Sequence, residues 1–224
     1  MKNLSKFEKC LWFSSAIIIL ISSLLSPSTD YISIIASLIG VTSLIFLAKG
    51  YVIGQVLILI FSLLYGYISF SFSYYGEMIT YLFLTSPMAI LAIISWTKNP
   101  YKKGEKGVKI QDVTIKQILI MIFLTLTATV MSYFILKLFD TANLEFSTLS
   151  VLTSFSAAYL TFLRSPLYAI AYGLNDIVLI ILWTLATFEN PMYFSMIICF
   201  VIFLINDIYG FISWSKMRKQ QLKI

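Results

Sequence analysis

Two Asn-Asp pairs are notable because each lies in a long apolar segment. Asn175-Asp176 is followed by Ile-Val-Leu-Ile-Ile-Leu, and Asn206-Asp207 is preceded by Phe-Val-Ile-Phe-Leu-Ile. A charged residue at the centre of a membrane costs about 2.5–3.5 kcal/mol on insertion scales, so these acids are expected to face a cavity or a partner. Neighbouring helical residues point about 100° apart. Each pair can therefore present one group to a cavity and the other to a neighbouring helix.

Aromatic residues recur at helical spacing around both pairs. They are Tyr168, Tyr172 and Trp183 near the first pair, and Phe200, Phe203, Phe211 and Trp214 near the second. Such faces suit a ligand with a planar heteroaromatic ring and several hydroxyls, the rings stacking and the Asn and Asp side chains binding the sugar. For the rings alone, helix packing is the better explanation, and a buried Asn can serve only to hold helices together. The pairs favour binding, because the predicted spans contain no cation to neutralise the acids.

The composition requires lipid around the helices that carry these pairs. Of 224 residues, 59% are hydrophobic and 12% are charged, whereas a soluble domain has about 25% charged residues. A soluble fold of this length cannot bury so much apolar surface. The chain has no His, and Cys10 and Cys199 form no CxxC motif. These counts exclude Ser-His-Asp triads, Cys-His dyads and His-ligated metals, so we expect neither a metal nor a cofactor.

Runs of mostly apolar residues predict an all-α, polytopic membrane protein. A spanning helix needs about 20 such residues, and eight runs qualify, at roughly 10–26, 31–48, 51–70, 77–97, 116–138, 147–163, 166–187 and 192–214. The first run follows several lysines, as a signal peptide would. No clear A-x-A-like cleavage site comes after it, so we interpret it as a helix.

The charges predict the orientation of these spans. With the N-terminus in the cytoplasm, every basic residue except Lys137 falls on the inner side, whereas Asp30, Glu77, Asp140, Glu145 and Glu189 fall outside. The inner set is Lys2, Lys6, Lys9, Lys49, Lys98, Lys102, Lys103, Lys106, Lys109, Lys116, Arg164, Lys216, Arg218, Lys219 and Lys223. An odd number of spans would break this segregation. We therefore predict two cytoplasmic termini, and we interpret the basic segment 98–115 as a flexible loop that sets the topology; the net charge of +6 needs no nucleic-acid partner.

An internal repeat organises the spans. Ile94-Ser95-Trp96-Thr97-Lys98 matches Ile212-Ser213-Trp214-Ser215-Lys216, Tyr75 then matches Tyr193, and Gln55 matches Asn175 after a short loop offset. Parallel repeats of three helices, joined by one inverting helix, would give a 3+1+3 architecture. The predicted units are an extra N-terminal helix in 1–30, a first repeat in 31–97, the basic loop 98–115, a linker helix 116–138, a second repeat in 147–216 and a basic tail 217–224.

The residues around the two pairs resemble the PnuC family of nicotinamide riboside (nicotinamide mononucleotide) transporters. The similarity extends over roughly residues 31–216 and includes the stretches from Asn175 to Trp183 and from Asn206 to Trp214, together with Gly54-Gln55, Tyr75-Gly76-Glu77-Met78, Pro87-Met88 and Trp96. The resemblance implies a vitamin transporter with a 3+1+3 fold like that of the SWEET sugar transporters. It also implies facilitated diffusion, with the riboside trapped by phosphorylation in the cytoplasm.

The chain departs from the family at one place. Family members often have Trp-x-x-Trp ahead of the polar residue of the seventh span, where this chain has Tyr168-Ala169-Ile170-Ala171-Tyr172. Tyrosine can still stack on a ring. The predicted substrate-binding residues are therefore Asn175, Asp176, Asn206, Asp207, Trp183, Trp214, Tyr172, Tyr168, Gln55 and Phe203.

Three other functions stay open at this point. Relatives of the family are similar for thiamine and riboflavin. The absence of a P-loop motif also allows a substrate-binding subunit of an ATP-driven vitamin importer. An intramembrane aspartyl protease using Asp176 and Asp207 ranks far below, since its usual Gly-x-Gly-Asp signature is absent. The expected partners are a small-molecule vitamin and the lipid bilayer, no enzymatic activity is predicted, and a homo-oligomer is compatible with the sequence.

Overall fold

The computed structural model describes residues 4–26, 30–102, 104 and 106–223. Its α-helices are α1 (Lys6–Leu24), α2 (Tyr31–Ala48), α3 (Val52–Ser71), α4 (Tyr75–Ile79), α5 (Ser86–Lys98), α6 (Ile115–Leu138), α7 (Leu144–Phe162), α8 (Tyr168–Glu189) and α9 (Phe194–Gln221). A π-helical segment, Thr80–Thr85, joins α4 to α5, and a 3₁₀ turn, Pro191–Tyr193, precedes α9. Lys2 and Lys103, which belong to the predicted charge pattern, lie outside the described residues.

The predicted all-α membrane architecture is confirmed. Seven helical segments of the described chain are long and apolar enough to cross a membrane, and α4, the π-helical segment and α5 together form one of them. The sixth predicted span corresponds to α7, which is not among the seven although its 19 residues equal the length of α1. Serine and threonine lower its hydropathy, and its buried face includes Ser147, Ser150 and Ser154.

The helices that could line a central pathway form a ring. Around it, α2 packs on α3, α3 on α5, α5 on α7, α7 on α8, α8 on α9, and α9 on α2. Two helices lie outside the ring in corresponding positions: α1 packs against α2 and α9, whereas α6 packs against α7 and α4. The ring therefore contains helices from both predicted repeats, and the two peripheral helices are the N-terminal and linker helices.

The two Ile-Ser-Trp segments make matching contacts at one end of the ring, which we call the inner end because the charge pattern predicts that it faces the cytoplasm. Trp96 Nε1 donates to Thr161 O at the end of α7 (2.9 Å), and Trp214 Nε1 donates to Leu47 O at the end of α2 (2.7 Å). The serine before each tryptophan bonds the next carbonyl of the same helix end. The two indole centroids are 5.3 Å apart. The last helix of each predicted repeat is thus fastened to the first helix of the other.

Polar contacts hold α1 to the ring. Ser5 and Glu8 form a capping box that begins the helix. The Glu8 carboxylate also pairs with Lys49, at the end of α2 (3.3 Å), and accepts a hydrogen bond from Tyr209 Oη of α9 (2.9 Å). Glu8 therefore links α1 to both of the ring helices that it covers.

The described part of the basic segment between α5 and α6 is held against the helices, unlike the flexible loop that we predicted. Arg164 Nη1 donates to Ser95 Oγ (2.6 Å), and Nη2 donates to Gln111 Oε1 (2.5 Å). Asp112 pairs with Arg218 of α9 (2.7 Å). Burial lowers the pKa of the Arg164 guanidinium from its usual value. These contacts attach the described part of the segment to Arg164, just beyond α7, and to α9.

Candidate functional site

A small buried cavity lies at the centre of the ring. Its volume is about 30 Å³, far below the roughly 300–1,000 Å³ of a typical small-molecule site. Five predicted site residues line it: Tyr172, Asn175, Asp176, Phe203 and Asp207. The other lining residues are Leu44, Ile58, Phe61, Ser62, Tyr81 and Thr85. Side chains must therefore move apart before a ligand of the expected size can bind here.

The two walls of the cavity share a spacing but differ in chemistry. Each second helix of a repeat contributes three residues at positions i, i+3 and i+4: Ile58, Phe61 and Ser62 on α3, and Tyr172, Asn175 and Asp176 on α8. Each third helix contributes two residues four apart: Tyr81 and Thr85, and Phe203 and Asp207. The second repeat thus supplies an amide and two carboxyl groups, whereas the first supplies rings and hydroxyls.

Asp176 and Asp207 meet at the cavity. Both residues line it, and they are only 4% and 3% exposed. Oδ2 of Asp176 has no hydrogen-bond partner, and neither of the ion pairs found among the described residues involves these acids. A buried acceptor without a partner costs about 1–3 kcal/mol. A ligand hydroxyl that bonds this oxygen would recover that free energy.

Helix α7 positions Asn175. Its Oδ1 accepts hydrogen bonds from Thr153 Oγ1 and Ser154 Oγ, both at 2.9 Å. An amide oxygen has two lone pairs, so the side-chain NH₂ is the group left to bond elsewhere. Tyr81 lines the same cavity. Asn175 is therefore held with its donor end available to the cavity.

Asn206 points away from the cavity, toward α1. Its Nδ2 donates to Ser15 Oγ of α1 (3.1 Å) and to Ile202 O of its own helix (2.8 Å). Adjacent helical residues point about 100° apart, so Asp207 faces the cavity while Asn206 faces the neighbouring helix. The two pairs thus differ in placement, because both Asn175 and Asp176 line the cavity.

The predicted tryptophans lie at opposite ends of the ring and do not line the cavity. Trp214 closes the inner end through its bond to α2, as described above. Trp183 Nε1 donates to Tyr65 Oη (2.8 Å), and its ring lies 4.8 Å from that of Tyr74, between α3 and α4. Burial raises the pKa of Tyr74 to about 12, so this phenol stays neutral near pH 7. We call Phe72, Tyr74, Trp183 and Tyr193, which are in mutual ring contact, the outer aromatic cluster.

Tyr168 and Gln55 lie nearer the inner end. The Tyr168 ring centre is 4.8 Å from that of Trp214, and Gln55 is buried on α3 with no partner for its Nε2. Neither residue lines the cavity in this structure. The structure therefore brings together the seventh-span pair, Asp207 and two of the predicted rings.

Three residues near the cavity were missed by the sequence reasoning. The rings of Phe61 and Tyr81 meet edge-on at 5.8 Å, and their positions correspond in spacing to those of Asn175 and Phe203. Glu77 was expected at the outer end of the fourth predicted span and was not among the predicted site residues. It lies in the first turn of α4, is 0% exposed, and accepts a hydrogen bond from Ser150 Oγ (2.9 Å). Its neighbour Gly76 has no side chain, and this lets α4 pack closely on α7.

Comparison with known proteins identifies the family. The model of the nicotinamide mononucleotide transporter family matches residues 30–216. The chain belongs to this family. It is 27% identical over 196 residues to the nicotinamide riboside transporter PnuC of Neisseria mucosa, an alignment that covers 85% of this chain and 74% of the relative. It is 24% identical over 211 residues to the nicotinamide riboside transporter PnuC of Haemophilus influenzae, covering 93% and 90%.

The fold of the family is also matched. The crystal structure of the vitamin B3 transporter PnuC superposes on this chain with a TM-score of 0.85 and 24% identity, covering 99% of this chain and 95% of that chain. The resemblance to PnuC noted from the Asn-Asp motifs is thereby confirmed. The chain is a membrane transporter with several apolar helices.

Proposed function

We propose that this chain carries nicotinamide riboside across the cell membrane by facilitated diffusion. The central cavity carries the proposal, because it places an amide and two carboxyl groups opposite a group of aromatic rings. Nicotinamide riboside has a positively charged pyridine ring at one end and a ribose with free hydroxyls at the other. The names of the two relatives support the same substrate.

The two walls suit the two ends of this molecule. Ribose hydroxyls can donate to Asp176 and Asp207 and accept from the Asn175 amide. The ring can stack on Phe61, which is 5.8 Å from Tyr81 and 5.5 Å from Phe203. A cationic ring gains both from aromatic faces and from nearby carboxylates. This assignment transfers the stacking role from the two tryptophans to residues that line the cavity.

The charge of the cavity favours the riboside over the mononucleotide. None of the described residues that line the cavity is basic, and two of them are acids. A phosphate carries between one and two negative charges near neutral pH, and proteins bind it with Arg, Lys or helix N-termini. Desolvating a phosphate beside Asp176 and Asp207 would be unfavourable, because the phosphate would find no basic partner and would lie next to two acids.

The seals at the two ends support alternating access. The inner end is closed by hydrogen bonds from Trp96 and Trp214 to the first helices of the opposite repeats, and the outer end is closed by the outer aromatic cluster. Rocking of residues 31–97 against 147–216 would break one seal while the other holds. In this proposal α7 also crosses the membrane and brings the number of spans to eight, α6 is the linker, and α1 is peripheral.

The uptake prediction tests the substrate and its energetics together. In liposomes that contain the protein, we expect radiolabelled nicotinamide riboside to equilibrate without ATP or an ion gradient, and thiamine, riboflavin and nicotinamide mononucleotide to compete poorly. The basis is the acidic, ring-lined cavity and the lack of a P-loop in the chain. Accumulation above the outside concentration that a protonophore abolishes would contradict facilitated diffusion. Preferred uptake of another of these compounds would contradict the substrate.

The topology prediction uses single cysteines in a Cys10→Ser, Cys199→Ala background. Ala142→Cys, between α6 and α7, should react with a membrane-impermeant thiol reagent added outside intact cells. Lys102→Cys, in the basic segment, should react only after the cells are opened. Both positions are exposed. Labelling of both cysteines from the same side would contradict the orientation with cytoplasmic termini.

A further inference from the structure

The fully buried carboxyl group of Glu77 has no role in the cavity. Glu77 Oε1 accepts a hydrogen bond from Ser150 Oγ of α7 (2.9 Å), but Oε2 has no partner. Neither ion pair of the described residues includes Glu77. A buried carboxyl group without a cation is costly in a membrane and commonly marks a substrate or ion pathway.

A row of serines on α7 connects Glu77 to the cavity. Ser147, Ser150 and Ser154 share one face of the helix, and each is at most 1% exposed. Ser150 bonds Glu77, whereas Ser154 donates to Asn175 Oδ1 at the cavity wall (2.9 Å). Ser150 and Ser154 are one helical turn apart, a rise of about 6 Å. Hydrogen-bonding groups therefore continue from near the outer end of α4 to the candidate site.

Polar atoms without a hydrogen-bond partner also lie on α3 and next to α4. The hydroxyls of Ser62 and Ser69, on one face of α3, and of Thr80, next to α4, are fully buried and unbonded. Ser43 of α2 is equally buried but donates to Gly40 O (2.5 Å), the usual solution for a serine in a helix. Within a bilayer, unbonded polar groups are tolerated only where they meet protein or water in a cavity. These three hydroxyls therefore indicate a surface that becomes hydrated in another conformation.

The π-helical segment gives α4 a place to bend. It begins at Thr80 and carries Tyr81 to the cavity, while α5 beyond it is bonded to α7 through Trp96. π-helical insertions interrupt the regular hydrogen-bond ladder and are frequent at functional sites and kinks. The outer part of this span can thus move away from α7 while its inner part stays attached.

We propose that substrate enters from outside between α4 and α7, with Glu77 at the mouth of the route and the α7 serines leading to Asn175. The inference rests on the proposed transport function and adds its outer route. The ligand chemistry that this lining recognises is a polyhydroxylated cation: the carboxylate attracts the charge, and the serine hydroxyls exchange hydrogen bonds with the sugar. Opening would separate the Glu77–Ser150 pair and wet the hydroxyls of Ser69 and Thr80.

A disulfide across this contact tests the route. A Cβ atom on Gly76 would lie 2.7 Å from Ser147 Cβ, and cystine needs about 3.8 Å between Cβ atoms, so a small shift accommodates the bond. In the Cys10→Ser, Cys199→Ala background, transport by the Gly76→Cys, Ser147→Cys protein is compared before and after oxidation, so that the reduced double variant is its own reference. It should lose transport when oxidised and regain it on reduction, whereas either single variant should ignore the oxidant. Undiminished transport by fully cross-linked protein would overturn the proposal.

Thiol accessibility gives a second measurement that does not require the double variant to fold. Ser150→Cys should react with an impermeant reagent added from outside, and bound nicotinamide riboside should slow the reaction, whereas Ser43→Cys should stay unreactive. Ser150→Cys that transports but reacts no faster than Ser43→Cys would also overturn the route. A reactive Ser150→Cys together with a Cys10→Ser, Cys199→Ala parent that transports no riboside would support the route and defeat the proposed substrate.

The charge is tested by Glu77→Gln, which should lower kcat/KM for uptake by about tenfold to hundredfold. An unchanged value would show that Glu77 does not lie at the mouth of the route.

Discussion

Replacing Asn175 with leucine is expected to weaken the binding of nicotinamide riboside by about tenfold to hundredfold. The side-chain NH₂ of Asn175 is the donor that α7 leaves free at the cavity, because Thr153 and Ser154 occupy the amide oxygen. Leucine fills a similar space but cannot bond a ribose hydroxyl, which is then buried without a partner. Calorimetric titration of the purified, folded variant measures the change.

Asn206→Leu is the matched control for this prediction. The same substitution in the second pair removes the bond to Ser15 of α1 and leaves the cavity wall intact. We therefore expect a lower melting temperature with unchanged affinity of the folded protein. The stability change should be small, since interhelical hydrogen bonds in membranes average about 0.6 kcal/mol. If Asn206→Leu weakened binding as much as Asn175→Leu does, Asn206 would contact the substrate. Its hydrogen bond to α1 would then belong only to the substrate-free conformation.

The sequence was sufficient to locate the Asn-Asp pairs because their cost in an apolar helix is a local property. Which member of each pair faces the cavity depends on how the helix is rotated, and neighbouring helices decide that. On α8 both members line the cavity, and hydroxyls of α7 hold the Asn175 amide in place there. On α9 the side of Asn206 is covered by α1, which the 3+1+3 interpretation treated as an addition.

The aromatic spacing predicted rings on the correct helices but not their depth in the membrane. Trp183 and Trp214 follow Asp176 and Asp207 by two turns of helix, and that distance carries each of them to an end of the ring. The proposed stacking residues Phe61 and Tyr81 come from the first predicted repeat, whose residues at the cavity include no acid or amide to mark them. Aligning the repeats on Gln55 and Asn175 conceals them, because the spacing of the cavity wall pairs Phe61 with Asn175.

Glu77 shows a different limit of sequence reasoning. Its place near the start of an apolar run suggests a residue at the outer interface. Burial follows from a contact distant in sequence, in which Gly76 lets α4 approach Ser147 and Ser150 on α7. The serine-rich face of α7 was the available signal, since a lipid-facing helix has no need of a row of hydroxyls.

Replacing Trp214 with alanine is expected to lower the free energy of unfolding by about 3–5 kcal/mol, the range for large buried aromatic residues. Its indole is fully buried against Trp96 and Tyr168, and its N–H holds α9 to the end of α2. Trp214→Phe keeps much of the packing and loses the hydrogen bond, so its cost should be smaller. Chemical unfolding in detergent, followed by circular dichroism, measures both variants.

Two comparisons separate this structural role from a binding role for Trp214. Trp12→Ala, at a partly exposed indole of α1 that bonds Thr42, should destabilise the protein less than Trp214→Ala, because less surface leaves the core. Trp214→Phe that remains folded should bind nicotinamide riboside with unchanged affinity, since the residue lies at the inner seal and away from the cavity. Loss of affinity in folded Trp214→Phe without loss of stability would show that the indole contacts the substrate, as the spacing around Asp207 predicts. The balance between the two effects therefore decides whether the inner tryptophans act as a seal or as a stacking surface.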